Sequence, residues 1–196
     1  GTADHPTCRL PMVIRWPGKT RPRAASGLYY HLDLAPTVAD LLGIDPHPSW
    51  DGVSYAPVLT EGKDCGRSEL ILSQGAHVCQ RSVRFGQWLH VRTYHDGYHL
   101  FPEEMLFDLE HDPHEQHNLA EQKREVCKEA AYRLTQWHEG MMQSMPGRED
   151  PLWTVMREGG PYHARGFLGK YCERLEATGR GDAIPELKRR HPREFQ

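Results

Sequence analysis

Between Glu69 and Leu109 apolar and polar residues alternate in short runs, and beyond Leu119 the spacing changes to steps of three and four. Val83 and Phe85 alternate with Ser82 and Arg84, and Leu89 and Val91 with His90 and Arg92. A period of two puts successive side chains on opposite faces of a strand. The pattern predicts strands over Glu69–Ser73, Arg81–Phe85, Trp88–Tyr94 and Leu106–Leu109, with Gly86-Gln87 as a tight hairpin. One face of this antiparallel sheet is expected to be packed and the other wet. Four strands suffice for a stable sheet once something covers the apolar face. The cover is a helix from Leu119 to about Met142, with Val126, Ala130, Leu134, Trp137 and Met141 along one stripe. The Met and Trp members read as core, each large side chain contributing roughly 1.5–3 kcal/mol on burial.

Before this unit, Met12–Trp16 reads as a strand broken by Pro17-Gly18-Lys19. Asp33 is placed to cap a short helix carrying Val38, Leu41 and Leu42 on one face, with Gly43 as its stop. One helical turn is expected over Ser54–Leu59. Composition shifts at Glu61-Gly62-Lys63-Asp64, a subdomain boundary. Asn118 is predicted as the cap of the long helix, with Glu121 completing a capping box. After Met145-Pro146-Gly147 the pattern weakens. Tyr162–Gly169 reads as loop, Lys170–Ala177 as a helical turn and Glu186–Gln196 as a charged tail.

Composition narrows the picture. A chain of 196 residues builds one good core or two small ones. A net charge of −3 gives no electrostatic case for nucleic acid. No apolar run reaches the ~18 residues of a membrane-spanning helix, so no membrane partner is expected. No signal segment opens the chain, which begins with Gly1 and reads as starting inside a longer protein. With 15 Pro and 18 Gly, long loops are expected. Cys8, Cys65, Cys79, Cys127 and Cys172 are scattered without a C-x-x-C pair, which argues against a disulfide framework or a structural zinc site.

Four separated segments carry a family resemblance in order. They are Arg9–Gly18, with its arginine, apolar run and Pro-Gly; His31–Ile44, containing Asp33-Leu34-Ala35-Pro36-Thr37; Asp51–Leu59, containing Asp51-Gly52-Val53-Ser54; and Leu106–Ala120, with Arg81–Trp88 leading into it. Together they resemble the C-terminal portion of the sulfatase family, within the alkaline-phosphatase superfamily, as found in bacterial arylsulfatase-like enzymes. The resemblance implies an α/β alkaline-phosphatase-like fold, here the last part of the main sheet plus a C-terminal four-stranded antiparallel sheet packed on one long helix. It implies three regions: 1–60 as the C-terminal end of the catalytic α/β domain, 61–145 as a small α+β subdomain, and 146–196 as a loop-rich extension. The implied chemistry is sulfate ester hydrolysis by a formylglycine with a calcium ion. The nucleophile, the calcium ligands and the active-site lysine are expected upstream of Gly1, so the fragment alone is expected to be inactive, with no catalytic or metal residue of its own. Its partners would be the upstream catalytic domain and a sulfated small molecule or glycan.

Within this chain, Ser144-Met145-Pro146-Gly147-Arg148 imitates the formylglycine motif, but Gly147 replaces its serine, and it reads as a helix stop. His111, His114 and His117 read as solvated turn histidines, and His95–His99 as a loop tip. Expected substrate contacts are His5, just after the missing lysine; His77, after the first strand of the small subdomain; and His163 with Arg165, where Tyr162 adds an aromatic face for a sugar. Two other readings stay open: a phosphonate or phosphodiester hydrolase of the same superfamily, and a non-catalytic carbohydrate-binding or interaction module.

Overall fold

The computed structural model describes residues 2–4, 8–147 and 149–195. The chain forms two compact units, one of residues 10–70 and one of residues 1–9 with 71–196.

In the unit of residues 10–70, a single turn over His31–Asp33 runs into helix α1, Leu34–Leu42, and a short helix α2 follows at Ala56–Thr60. Asp33 is fully buried and acts as the hub of this unit, not as a side-chain cap. Its carboxylate accepts from the backbone N–H of Tyr30 (2.7 Å) and Val53 (2.8 Å) and forms a two-pronged ion pair with Arg67. Thr37 Oγ1 donates to the Asp33 carbonyl (2.6 Å) and accepts from the Tyr55 N–H (2.9 Å). Gly52 must lack a side chain, because a Cβ there would lie 2.3 Å from the Leu32 carbonyl oxygen. The Asp-Leu-x-Pro-Thr and Asp-Gly-x-Ser motifs therefore weld one scaffold together. As expected, Gly43 ends α1 in the left-handed region at φ 70°. The predicted strand Met12–Trp16 is not formed: residues 11–16 join no ladder with any described residue, and Val13 is exposed. A strand needs a neighbour to satisfy its backbone groups, and none of the described residues pairs with this run.

The second unit is built on a sheet of β1 (Glu69–Gln74), β2 (Cys79–Phe85), β3 (Trp88–His95) and β4 (Glu104–Asp108), hydrogen-bonded in chain order. Helix α3, Arg124–Ser144, packs on it. The expectation of one wet face is overturned. The two-residue turn at Gly86-Gln87 sets Phe85 opposite Trp88, which pairs Val83 with His90 and Ser82 with Val91. Val83 and Phe85 thus lie on the helix face, with Ala130 and Leu134, while Leu89 and Val91 lie on the other face with Phe107. Both apolar sets are buried.

Asn118 also plays another part. The helix begins six residues later, at Arg124, and Asn118 Oδ1 accepts from the N–H of Leu106 and of Ala120 (3.0 Å each) while Nδ2 donates to the Glu104 carbonyl (3.1 Å). It fastens the turn after β4 back onto β4. The decoy motif behaves as a stop, since α3 ends at Ser144; Arg148 lies outside the described residues.

Beyond Asp150 the described residues are largely helical, contrary to the loop-rich expectation. Helices α4 (Pro151–Arg157), α5 (Leu168–Ala177) and α6 (Ile184–Arg190) follow, and Leu168, Cys172, Leu175, Ile184 and Leu187 bury together around Tyr98. Helices this short gain their stability from tertiary packing, so periodicity over two turns carried little signal. These residues belong to the same compact unit as the sheet.

Candidate functional site

The β1–β2 connection, the β3–β4 connection and the turn before α5 converge at one end of the sheet unit. They bring together the imidazoles of His77, His99 and His163, whose ligand nitrogens all lie within 4.8 Å of one another. His77 and His163 stack at 5.1 Å with planes 16° apart, and His99 stands 4.5 Å from His77 and 6.5 Å from His163. Gly97, at φ 59°, makes the approach possible: a Cβ there would sit 2.4 Å from the His77 carbonyl and 3.5 Å from His163 Nε2.

These rings line an open cleft of about 320 Å³, whose walls also carry Phe167, Lys170, Tyr171 and Arg174. Partial burial, and then the neighbouring His99, hold His77 below the usual histidine range. Burial followed by His163 does the same to His99. The cleft therefore sets three imidazoles beside the basic side chains of Lys170 and Arg174, an arrangement for anions or for a soft-to-borderline metal ion.

The β3–β4 loop is far from a bland tip. Asp96 is buried and accepts from His191 Nε2 (2.9 Å) and from the Tyr98 N–H (2.9 Å), and Arg190 lies at 3.2 Å. Burial alone would raise its pKa, but these contacts lower it below the ordinary carboxylate value. The Tyr98 hydroxyl donates to Glu194 (2.6 Å), clamping the loop under the last helices.

Of the expected substrate contacts, the structure brings His77 and His163 together. Arg165 is not a cleft residue: Nε donates to the Gly160 carbonyl (2.8 Å), Nη2 pairs with Glu158 (2.8 Å), and the guanidinium lies over Tyr162 at 5.9 Å. His5 lies outside the described residues. Sequence reasoning missed His99, Lys170 and Arg174. His99 lies in a loop whose sequence reads as a solvated tip, and the other two sit on a helix whose pattern is too short to orient. His111 and His117 are exposed on their turn, against Asp108 (3.1 Å) and Asp112 (3.5 Å).

A calcium ion demands several oxygen ligands. Each group of donors close enough to share an ion, among the described residues, holds at most one carboxylate. The buried carboxylates Asp33, Asp96 and Asp150 are each committed to arginine. The residues present do not fit calcium. All five cysteines are free thiols, and burial pushes Cys79 up to about 11.

A meander of four strands backed by one helix makes this part of the chain an α+β unit, with the motif residues building its scaffold and that of residues 10–70. Residues 4–140 match the family described as N-sulphoglucosamine sulphohydrolase, C-terminal, and the chain belongs to that family. It is 35% identical over 129 residues to a choline-sulfatase of Rhizobium meliloti, covering 60% of this chain and 22% of that protein. It is 30% identical over 133 residues to an N-acetylgalactosamine-6-O-sulfatase of Bacteroides thetaiotaomicron, covering 62% and 25%. A structure solved from the glycosaminoglycan metabolism of Bacteroides thetaiotaomicron superposes with a TM-score of 0.50 at 20% identity, over 71% of this chain and 31% of that one, a likeness of fold. The chain thus spans about a quarter of the length of the curated relatives it matches.

Proposed function

We propose that this chain is the C-terminal portion of a sulfuric ester hydrolase, whose formylglycine nucleophile and calcium ligands are contributed by upstream sequence of the same polypeptide. The match of residues 4–140 to a sulfatase C-terminal family carries the reading. Two observations support it. The family motifs present are spent on scaffold, and the 10–70 unit leaves several apolar side chains exposed, among them Leu10, Val13, Leu42 and Ile44, which an upstream domain would cover. In this reading His5 and the His77/His163 cleft supply one wall for a sulfated small molecule or glycan. Lys170 and Arg174 add the positive charge that an anionic substrate needs.

The test compares the parent polypeptide with the 196-residue chain on an aryl sulfate, a phosphodiester and a phosphonate monoester. Sulfate turnover by the parent and none by the chain is expected. A parent that cleaves only the phosphorus esters would transfer the protein to the sister activity, and a parent inert on all three but binding glycans would make it a binding module. Turnover by the chain alone would overturn the placing of the catalytic groups.

A further inference from the structure

We propose that His77, His99 and His163 form a binding site for a first-row transition-metal ion, best represented by Zn²⁺. The three imidazoles come from three different connections, yet their ring nitrogens lie within 4.8 Å of one another. None of the three rings makes a hydrogen bond to another described residue, although the neighbouring His95 and His191 are both bonded locally. Converging imidazoles without partners repel one another if protonated and gain little if neutral. A cation held by their lone pairs supplies the missing attraction.

The donor set selects the ion. Three nitrogens and no carboxylate suit Zn²⁺, Co²⁺, Ni²⁺ or Cu²⁺ and are poor ligands for Ca²⁺ or Mg²⁺. Zn–N bonds of about 2.0–2.1 Å in tetrahedral geometry put nitrogens about 3.3 Å apart. From within 4.8 Å the nitrogens need to close by at most about 1.5 Å, and His99 and His163 are exposed, so their rings can turn about their side-chain torsions. Gly97 leaves the room for that closure. Three protein ligands leave a fourth position open to the cleft. Lys170 and Arg174 line the same cleft, so the fourth ligand drawn from it would be an anion, whose charge offsets theirs. The inference goes beyond the hydrolase reading and stands or falls without it.

The experiment titrates the 196-residue chain with Zn²⁺ by calorimetry and records the visible spectrum of its Co²⁺ form. One ion per chain and the ligand-field bands of four-coordinate Co²⁺ are expected. His77→Ala, His99→Ala and His163→Ala should each weaken Zn²⁺ binding on the order of tenfold or more. His114→Ala, on an exposed turn outside the cluster, should leave it unchanged. Circular dichroism melts establish that each variant is folded, and His99→Ala and His163→Ala remove exposed rings, so they keep the test valid if His77→Ala does not fold. Absence of Zn²⁺ binding, an octahedral-only Co²⁺ spectrum, or equal losses in His114→Ala and the cluster variants would overturn the site.

Discussion

Arg81 on β2 and Asp150 ahead of α4 form a two-pronged ion pair at 2.8 and 2.9 Å, with both side chains no more than 5% exposed. The pair joins the sheet matched by the sulfatase family to the helices that follow residue 140. Asp150 also accepts from the Leu152 N–H (2.9 Å), which starts α4, and has His138 at 3.2 Å. Arg81 spreads over the Trp137 ring at 4.9 Å. Beside them a cavity of about 340 Å³ is lined by Trp137, Met141, Met142 and Val155.

Removing one member of this pair strands a buried charge. Arg81→Ala and Asp150→Ala are each expected to cost about 3–5 kcal/mol in urea unfolding. The double replacement Arg81→Met with Asp150→Leu should cost less than either single change. If the single variants melt like the parent chain, the pair is not what holds the C-terminal helices to the sheet.

Acid should unfold the sheet unit in two stages. Burial lowers the pKa of His90 below 6.5, against a smaller pull from Glu104. The unfolded chain therefore takes that proton first, and stability declines as pH falls below about 6.5. Burial would raise Glu104, but hydrogen bonds from His90 and Arg124 and the charges of His90 and Arg92 outweigh it and bring it from 4.5 to about 2. Its contribution is whole above about pH 4.5 and is lost as pH drops toward 2. Melting temperature followed from pH 7 to pH 2 should show both slopes, and Glu104→Gln should flatten only the lower one.

Asn118 makes three hydrogen bonds that tie β4 to the following turn. Asn118→Ala should cost about 1–2 kcal/mol, since an exposed residue loses less than a buried one. Asn118→Asp keeps the acceptor and loses the donor, so its loss should be smaller. Denaturant midpoints of the two variants decide the order.

Gly52→Ala places a methyl carbon where the Leu32 carbonyl already stands. The loop must shift and drag Val53 off Asp33, whose hub then frays. A loss of about 1–3 kcal/mol is expected. Limited proteolysis should show faster cutting within residues 10–70, with the sheet unit unaffected.

The strands β1 to β4 and the apolar stripe of α3 were legible because period two and period 3.6 are local properties of a chain. The family motifs were legible too, as Asp33, Gly52 and Asn118 show. Their roles were not, since a carboxylate that joins Tyr30, Val53 and Arg67 looks in sequence like any helix cap. Even the facing of the sheet was partly available: a two-residue turn forces odd positions of β2 opposite even positions of β3.

By itself the sequence determined the sheet, the long helix and the sulfatase motifs, because each rests on neighbours within a few residues. Only the tertiary structure decided that His77, His99 and His163 meet, that Arg165 turns away to Glu158, and that three helices form beyond Asp150. The reason is physical. Side chains on separate connections are brought together by the packing of Tyr98 against Leu168 and its neighbours, and that burial exists only once the whole unit has closed.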